Sequence, residues 1–120
     1  MTNIIDKNYV NEYDKNLVEK FIYDRDIKKY ILGINKLTKS VKKHLEVDGI
    51  IDDFTRVQSS RKKSILKIED VPKDSIILWV STGSPLEVKN TLDSLGYTHI
   101  SYLSLCKYSN LDLVSPPFIM

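Results

Sequence analysis

The first part of the chain carries a helical pattern of apolar positions. Between residues 8 and 25, apolar side chains recur at steps of three and four residues, at Tyr9, Val10, Tyr13, Leu17, Val18, Phe21 and Ile22. This spacing lines one stripe of an amphipathic helix of about 18 residues. A sustained coiled coil needs roughly three or more heptads, so the pattern favours a helix that lies over the body of its own domain. A homodimer formed through the same helix is the alternative.

A strand, a helix and a second strand follow. Residues 30–34 form a short apolar run containing Gly33, which is typical of a strand buried on both faces. Asn35 is a suitable N-cap for a helix whose inner positions step by four, at Leu37, Val41 and Leu45. Residues 47–53 predict a second strand that ends in two carboxylates. A strand, a helix and a strand within about 25 residues make a βαβ unit with a parallel pair of strands.

The middle of the chain predicts a loop and two strands. Residues 54–63 are polar and have no apolar period, so we expect an exposed loop or a short broken helix there. Residues 64–67 predict a short edge strand, and residues 68–72 predict a turn. Residues 75–81 are the longest apolar run rich in β-formers and predict a central strand.

The clearest helix boundary lies at Ser84. The segment Ser84-Pro85-Leu86-Glu87 is a capping box with proline at the first helical position. We expect this helix to end at Gly96 and to bury four positions: Leu86, Val88, Leu92 and Leu95. Residues 98–103 alternate enough to predict a last strand.

The order of these elements predicts an α/β fold. We expect a small, open, mostly parallel sheet of about four to five strands, roughly half of a Rossmann fold, preceded by the amphipathic helix. The pattern divides the chain into a helix at residues 1–26, a Rossmann-like domain at 27–107 and a tail at 108–120.

Composition indicates the class of protein but identifies no catalytic or binding chemistry. The 120 residues suit one domain, and 42% hydrophobic with 28% charged residues is ordinary for a globular protein. A net charge of +2 is too small to predict a nucleic-acid partner. Cys106 is the only cysteine, and the amino-terminal residues do not form a basic and then apolar signal segment. We therefore expect a cytoplasmic protein without membrane insertion.

The turn after the first predicted strand is the first candidate binding site. In such folds a phosphate meets the helix amino terminus there, and a dinucleotide loop uses three glycines for the approach. Gly33 matches the first glycine, whereas Asn35 and Thr38 stand at the other two positions, around Lys36. Asp52 follows at the spacing of the acidic residue that binds a ribose hydroxyl. Either the site holds a nucleotide or its pocket has been filled by these side chains.

A second candidate is the segment Thr82, Gly83 and Ser84, a polar strand end that leads into a helix amino terminus. An anion site and a simple helix cap are both consistent with it. We expect no metal site, because His44 and His99 lack further ligands at suitable spacing. Lysines at 36, 39, 42 and 43, with the basic residues 61–63, suggest an anion-binding patch, for which a solvated helix face is the ordinary alternative.

Three segments resemble a known bacterial module: YILGI at residues 30–34, VDGIIDDF at 47–54 and IEDVPKDSII at 68–77. Their order is similar to the Rossmann-like front domain found ahead of FkbM-type methyltransferases and, more distantly, in sugar O-acyltransferases of surface-polysaccharide pathways. The resemblance covers about residues 29–105 and is most specific at residues 49–54. It implies a nucleotide or nucleotide-sugar site to which Gly33 and Asp52 carry over by position. The family glycines that would follow Gly33 are replaced by Asn35 and Thr38.

The sequence thus predicts a non-catalytic accessory module that recognises or assembles a catalytic partner domain. Methyl transfer is not expected in this chain itself, because it has no acidic-Gly-x-Gly loop for S-adenosylmethionine. A nucleotide or nucleotide-sugar binding domain is the alternative function. The apolar residues 118–120 fit either a chain that continues into a further domain or a tail that packs on a partner.

Overall fold

A five-stranded parallel sheet forms the centre of the protein in a computed structural model that describes residues 11–51, 65–80 and 85–114. The strands are β1 (Lys29–Leu32), β2 (Gly49–Ile51), β3 (Ile65–Leu66), β4 (Ile76–Trp79) and β5 (Thr98–Ser101). The helices are α1 (Glu12–Tyr23), α2 (Lys36–Lys42), α3 (Pro85–Leu95) and α4 (Tyr102–Tyr108), and a 3-10 turn spans Ile68–Asp70. The strand order is β3-β2-β1-β4-β5, and every neighbouring pair is parallel. This is the Rossmann order, so the predicted fold class is confirmed.

Alternation along the strands produces two apolar layers, one on each face of the sheet. In β4, Ile76 and Leu78 face one layer and Ile77 faces the other. Helices α1, α2 and α4 cover the first face, with a buried set of Leu17, Val18, Phe21, Ile31, Leu37, Val41, Ile76, Leu78, Val80, Ile100, Tyr102 and Leu105. Helix α3 and the 3-10 turn cover the second, with Tyr30, Leu32, Ile51, Ile68, Val71, Ile77, Val88, Leu92 and Tyr97. Strands buried on both faces have apolar runs instead of strict alternation, which explains why β1 and β4 were recognisable.

Helix α1 is shorter than the sequence pattern predicts. It begins after Asn11, whose side chain accepts a hydrogen bond from the Asp14 amide at 3.1 Å, and the predicted positions 8–10 lie outside the described residues. The predicted burial of Tyr13 is wrong, since its side chain is 68% exposed. The buried stripe includes Val18 and Phe21, and Tyr13 lies about 140° round the helix from Val18.

Helix α3 ends at Gly96 as predicted, where φ is +83°, but its buried stripe is narrower than expected. Val88 and Leu92 are buried, four residues apart, whereas Leu86 is 67% exposed and Leu95 is also exposed. Leu86 precedes Val88 by two positions, which places it about 200° away round the helix. The predicted cap at Ser84 lies outside the described residues.

Helix α4 corrects the prediction of a strand through residues 98–103. Strand β5 ends at Ser101, whose hydroxyl accepts a hydrogen bond from the Ser104 amide at 3.1 Å and caps the new helix. Tyr102 and Leu103 are therefore helical. Tyr102 and Leu105 are buried one helical turn apart, whereas the strand prediction rested on the two-residue alternation of Ile100 and Tyr102.

The remaining predicted strands agree with the structure where it describes them. Strand β3 is a two-residue edge strand, and β4 is an internal strand between β1 and β5. Strand β2 covers residues 49–51 of the predicted 47–53 segment; residues 47 and 48 precede the strand, and residues 52 and 53 lie outside the described residues. The predicted loop at residues 54–63 lies outside the described residues.

Residues 109–114 form a strap that is tied to α2 and α4. The Tyr102 hydroxyl donates to the Val114 carbonyl at 2.5 Å, and the Val114 amide donates to Ser40 Oγ at 2.9 Å. His44 Nε2 donates to the Asp112 carbonyl at 3.0 Å. Part of the predicted tail is therefore fixed along one flank of α2.

Candidate functional site

The site that this fold offers to a ligand is the crevice between β1 and β4. In the order β3-β2-β1-β4-β5, chain connections run in opposite directions from these two neighbouring strands. Ligands of open α/β sheets bind at such a point, beyond the carboxyl ends of the strands. Gly33 follows β1 and Val80 follows β4, so the two residues lie at the base of the crevice.

Gly33 shapes the turn from β1 into α2. Its φ of +114° lies in the region that favours glycine, and its amide donates to the Ile51 carbonyl at 2.7 Å. This hydrogen bond extends the pairing of β1 with β2 by one residue. Gly33 thus has the backbone conformation that the first glycine of a phosphate loop supplies.

The amino terminus of α2 is closed by the chain's own side chains. Asn35 Oδ1 accepts hydrogen bonds from the amides of Leu37 at 2.8 Å and Thr38 at 3.4 Å. Thr38 Oγ1 in turn accepts from the Asn35 amide at 3.2 Å and donates to the Gly33 carbonyl at 2.8 Å. Thr38 is only 3% exposed. A phosphate at this turn would have to displace Asn35 from the amides it already satisfies.

Asn35 also bridges the crevice. Its Nδ2 donates to the Val80 carbonyl at 3.1 Å, which joins the β1–α2 turn to the end of β4. The Val80 amide donates to the Leu32 carbonyl at 2.9 Å, so the two strands stay paired up to this point. One side chain therefore caps α2 and spans the position at which a Rossmann fold admits a ligand.

The structure brings some of the predicted site residues together. Gly33, Asn35 and Thr38 form one hydrogen-bonded group, as the turn prediction implies. The Lys36 side chain is exposed on the outer side of α2. Four predicted residues lie outside the described part of the chain: Asp52, Thr82, Gly83 and Ser84.

A second polar group, which the sequence analysis missed, links β4, β5 and α3. Trp79 Nε1 donates to His99 Nδ1 at 3.0 Å, and His99 Nε2 lies 2.7 Å from Asp93 Oδ1. An indole N–H only donates, so Nδ1 is the acceptor and the imidazole proton sits on Nε2, which donates to Asp93. Lys89 Nζ contacts the other carboxylate oxygen of Asp93 at 3.1 Å.

These contacts set the electrostatics of the group. The hydrogen bond from His99, followed by that from Lys89, lowers the pKa of the Asp93 carboxyl below its ordinary value. Both His99 ring nitrogens are engaged, so neither is free to bind a metal or abstract a proton. No linear pattern in the sequence marks this contact, because it depends on the parallel register of β4 and β5. That register pairs Trp79 with Ser101 and so places His99 two positions away, on the same face of the sheet.

Cys106 lies on α4 beside the core and is half-buried. Burial is the main cause that raises the pKa of its thiol above the ordinary value. The thiol is therefore protonated near neutral pH, and the protonated form is a poor nucleophile.

A wide cavity of about 570 Å³ lies at the opposite, amino-terminal edge of the sheet. It is lined by Arg25, Ile27, Lys29, Glu46, Val47 and Asp48. Its charges are mixed, and one carboxylate oxygen of Asp48 already accepts from the Lys29 amide at 2.8 Å. The lining therefore offers no convergent set of groups for one ligand charge.

Two further observations concern the described ranges 11–51, 65–80 and 85–114. Within them, no three side chains of His, Cys, Asp or Glu are grouped so as to hold a metal ion. No helix in the same ranges is long and apolar enough to cross a bilayer.

Comparisons with known proteins do not assign the chain to a family. No family model matches it, and neither the curated proteins nor the solved structures include a match.

Proposed function

We propose that this chain is a non-catalytic, Rossmann-like accessory module that recognises or assembles a catalytic partner. The observation that carries the proposal is the double role of Asn35, which caps α2 and bonds to the Val80 carbonyl at 3.1 Å across the crevice. A module that used this crevice for a ligand would leave the helix amides open. Here the fold is retained while its usual ligand position is occupied by protein.

The chemistry of the described side chains supports a non-catalytic role. His99 has no free ring nitrogen, and burial keeps the Cys106 thiol protonated. Catalysis by general bases or nucleophiles needs such groups to be accessible and poised near the working pH.

The resemblance of residues 29–105 to the bacterial front domain supports a proposal about the system in which the module acts. We propose that it serves a bacterial methyltransferase or a surface-polysaccharide biosynthesis system, in which the partner supplies the catalysis. The support is the order of the three segments YILGI, VDGIIDDF and IEDVPKDSII along the chain. In the structure these segments contain β1, β2 and the 3-10 turn that leads into β4.

A nucleotide or nucleotide-sugar binding domain is the second candidate. The positive φ of Gly33 favours it, because the first glycine of a phosphate loop adopts such a turn. This function requires the Asn35 side chain to leave the Leu37 and Thr38 amides when the phosphate arrives. In that state Asp52 would bind the ribose.

A titration followed by amide-resolved NMR separates the two functions. The panel is NAD(H), NADP(H), S-adenosylmethionine, acyl-CoA and nucleotide-sugars. We expect no saturable shifts at Gly33 or at the amides of residues 35–38. Saturable shifts centred on these amides would overturn the accessory role and support the nucleotide site, and unchanged affinity in Asp52→Ala would then remove the ribose assignment.

The Asn35→Gly variant serves as the matched control. Glycine is tolerated at an N-cap at a cost of only a few tenths of a kcal/mol, so the fold should persist while the bridge is lost. Binding that appears only in this variant would show that Asn35 is what excludes the ligand. Binding of equal strength in the wild-type protein would show that the bridge does not close the site.

A further inference from the structure

Helix α2 presents a lysine face to solvent. This face consists of Lys36, Lys39 and Lys42 in the helix and of Lys43, its C-cap residue, and all four side chains are exposed. At about 100° per residue, the four side chains fall within a stripe of about 120°. The opposite side of the helix carries Leu37 and Val41, which are buried in the core.

The positive charges of the lysine face are not neutralised by ion pairs within the described residues. Its members are spaced three and four residues apart, at which like charges destabilise a helix. Lys36 occupies the first turn, where the helix dipole disfavours a cation, whereas Lys39 and Lys42 lie in the last turn, where the dipole favours one. Helix α2 has no acidic residue in its first turn, and within the described residues none of the four lysines forms an ion pair. An anionic partner would remove this repulsion.

The strap at residues 109–114 leaves the lysine face open. It is bonded to Ser40 and His44, which lie on the flank of α2 next to the lysine stripe. The protein thus covers one flank of α2 with its own chain. The lysine face is the part of the α2 surface that remains accessible to a partner.

The chemistry of this face favours carboxylates on a helix. Its charges are lysines, each of which is a point charge that can pair with one carboxylate, and their spacing of three and four residues matches carboxylates that recur along one face of a partner helix. No aromatic side chain lies among them to stack on bases. The apolar side of α2 is packed in the core, so the helix has no free face to insert into a lipid surface.

We infer that the lysine face binds an acidic helical segment of the partner protein, whose Glu or Asp side chains recur every three or four residues. Lys36, Lys39 and Lys43 run about 10 Å along the helix axis, which matches such a segment packed alongside α2. Ile34, 51% exposed and two residues before Lys36, offers an apolar contact at one end. This inference rests on the proposed accessory function and names the chemistry of the partner's docking element.

The test uses the full chain and a synthetic helical peptide whose glutamates recur every three or four residues along one face. Binding is measured by fluorescence anisotropy in about 20 mM salt. We expect the charge-reversal variant Lys39→Glu/Lys43→Glu to weaken binding about tenfold. The matched control Lys20→Glu/Lys28→Glu makes the same change of net charge at exposed lysines outside α2 and should weaken binding far less than the variant of α2 does.

Four outcomes would overturn the inference. The first two are an equal loss of binding in both variants, and equal binding of a control peptide whose glutamates do not lie on one helical face. The third is no binding to the glutamate peptide. The fourth is binding to phosphatidylserine vesicles or single-stranded DNA that depends on Lys39 and Lys43, while binding of the peptide does not depend on them. The nucleotide panel separates this result from the proposed function. If the peptide fails while the panel stays silent, only the docking element is wrong; a ligand in the crevice removes the accessory role itself.

Discussion

Trp79 Nε1 donates a hydrogen bond to His99 Nδ1 at 3.0 Å, and this contact requires the imidazole proton to sit on Nε2. Protonation of Nδ1 would remove the acceptor that Trp79 uses. Because Trp79 is the only tryptophan, the tryptophan emission of the protein reports on the surroundings of this one side chain.

We expect His99→Phe to change the Trp79 emission, because phenylalanine keeps an aromatic ring but removes the nitrogen that accepts from the indole N–H. His44→Phe removes the second histidine and should leave the Trp79 emission unchanged. Identical Trp79 emission in the wild type and in His99→Phe would contradict the hydrogen bond.

Asp93 should make the free energy of unfolding depend on pH in the acid range. Its pKa is lowered in the folded protein, chiefly by the hydrogen bond from His99, so its stabilising effect is present above the unfolded-state pKa. The effect is lost as the pH falls through the lowered folded-state pKa. We therefore expect Asp93→Asn to reduce the free energy of unfolding at about pH 7 and to reduce it by a smaller amount at about pH 2.5.

Urea unfolding at the two pH values measures this effect. Asp112→Asn is the matched control, because it removes an exposed carboxylate of the strap and keeps the backbone carbonyl that bonds to His44. A loss of stability in Asp93→Asn that is the same at both pH values would show that the ionised form of Asp93 has no special role.

Asn35 should contribute to stability in two separable ways. Asn35→Ala removes the helix cap and the bridge to Val80, and we expect a loss of about 1–2 kcal/mol in the free energy of unfolding. Asn35→Ser retains a capping oxygen but is too short to span the crevice, so its loss should be smaller. Equal losses in the two variants would mean that the cap contributes nothing measurable. A negligible loss in both would contradict the observed geometry.

Gly49 lies against two side chains of neighbouring strands. A Cβ at this position would lie 2.7 Å from Leu66 Cδ1 and 3.2 Å from the Tyr30 ring, which pairs with Gly49 across β1 and β2. Leu66 Cδ1 is the end of a flexible side chain and can move, so we expect Gly49→Ala to cost no more than about 1 kcal/mol by overpacking. Leu66→Ala should relieve part of this cost, so the double variant loses less stability than the sum of the single variants. Additive losses would place the cost at the Tyr30 ring or in the backbone instead.

Sequence patterns predicted the fold well and the site only in part. Buried parallel strands such as β4 have long apolar runs, and the capping residue Asn35 marks its helix locally, so both were recognisable. The bridge from Asn35 to Val80 joins residues 45 positions apart and depends on the order of the strands. A linear pattern does not carry that information.

The same limit explains the other differences. The contact of Trp79 with His99 needs the register of β4 and β5, and helix α4 begins in a run that also fits a strand. Tyr13 was expected to be buried because its spacing from Leu17 fits an apolar stripe. Which positions of α1 face the sheet is decided by packing, and spacing alone does not settle the edge of the stripe.

The most direct test of the closed crevice is an NMR measurement on the Asn35 side-chain amide. In the free protein its Nδ2 protons should show NOE contacts to residues at the end of β4 and slow exchange with solvent. We expect both to be unchanged at the highest NAD(H) or nucleotide-sugar concentration of the titration, because Asn35 stays bonded to the Val80 carbonyl. Loss of these contacts, together with saturable shifts of the Leu37 and Thr38 amides, would show that Asn35 gives way to a phosphate and that the chain binds a nucleotide.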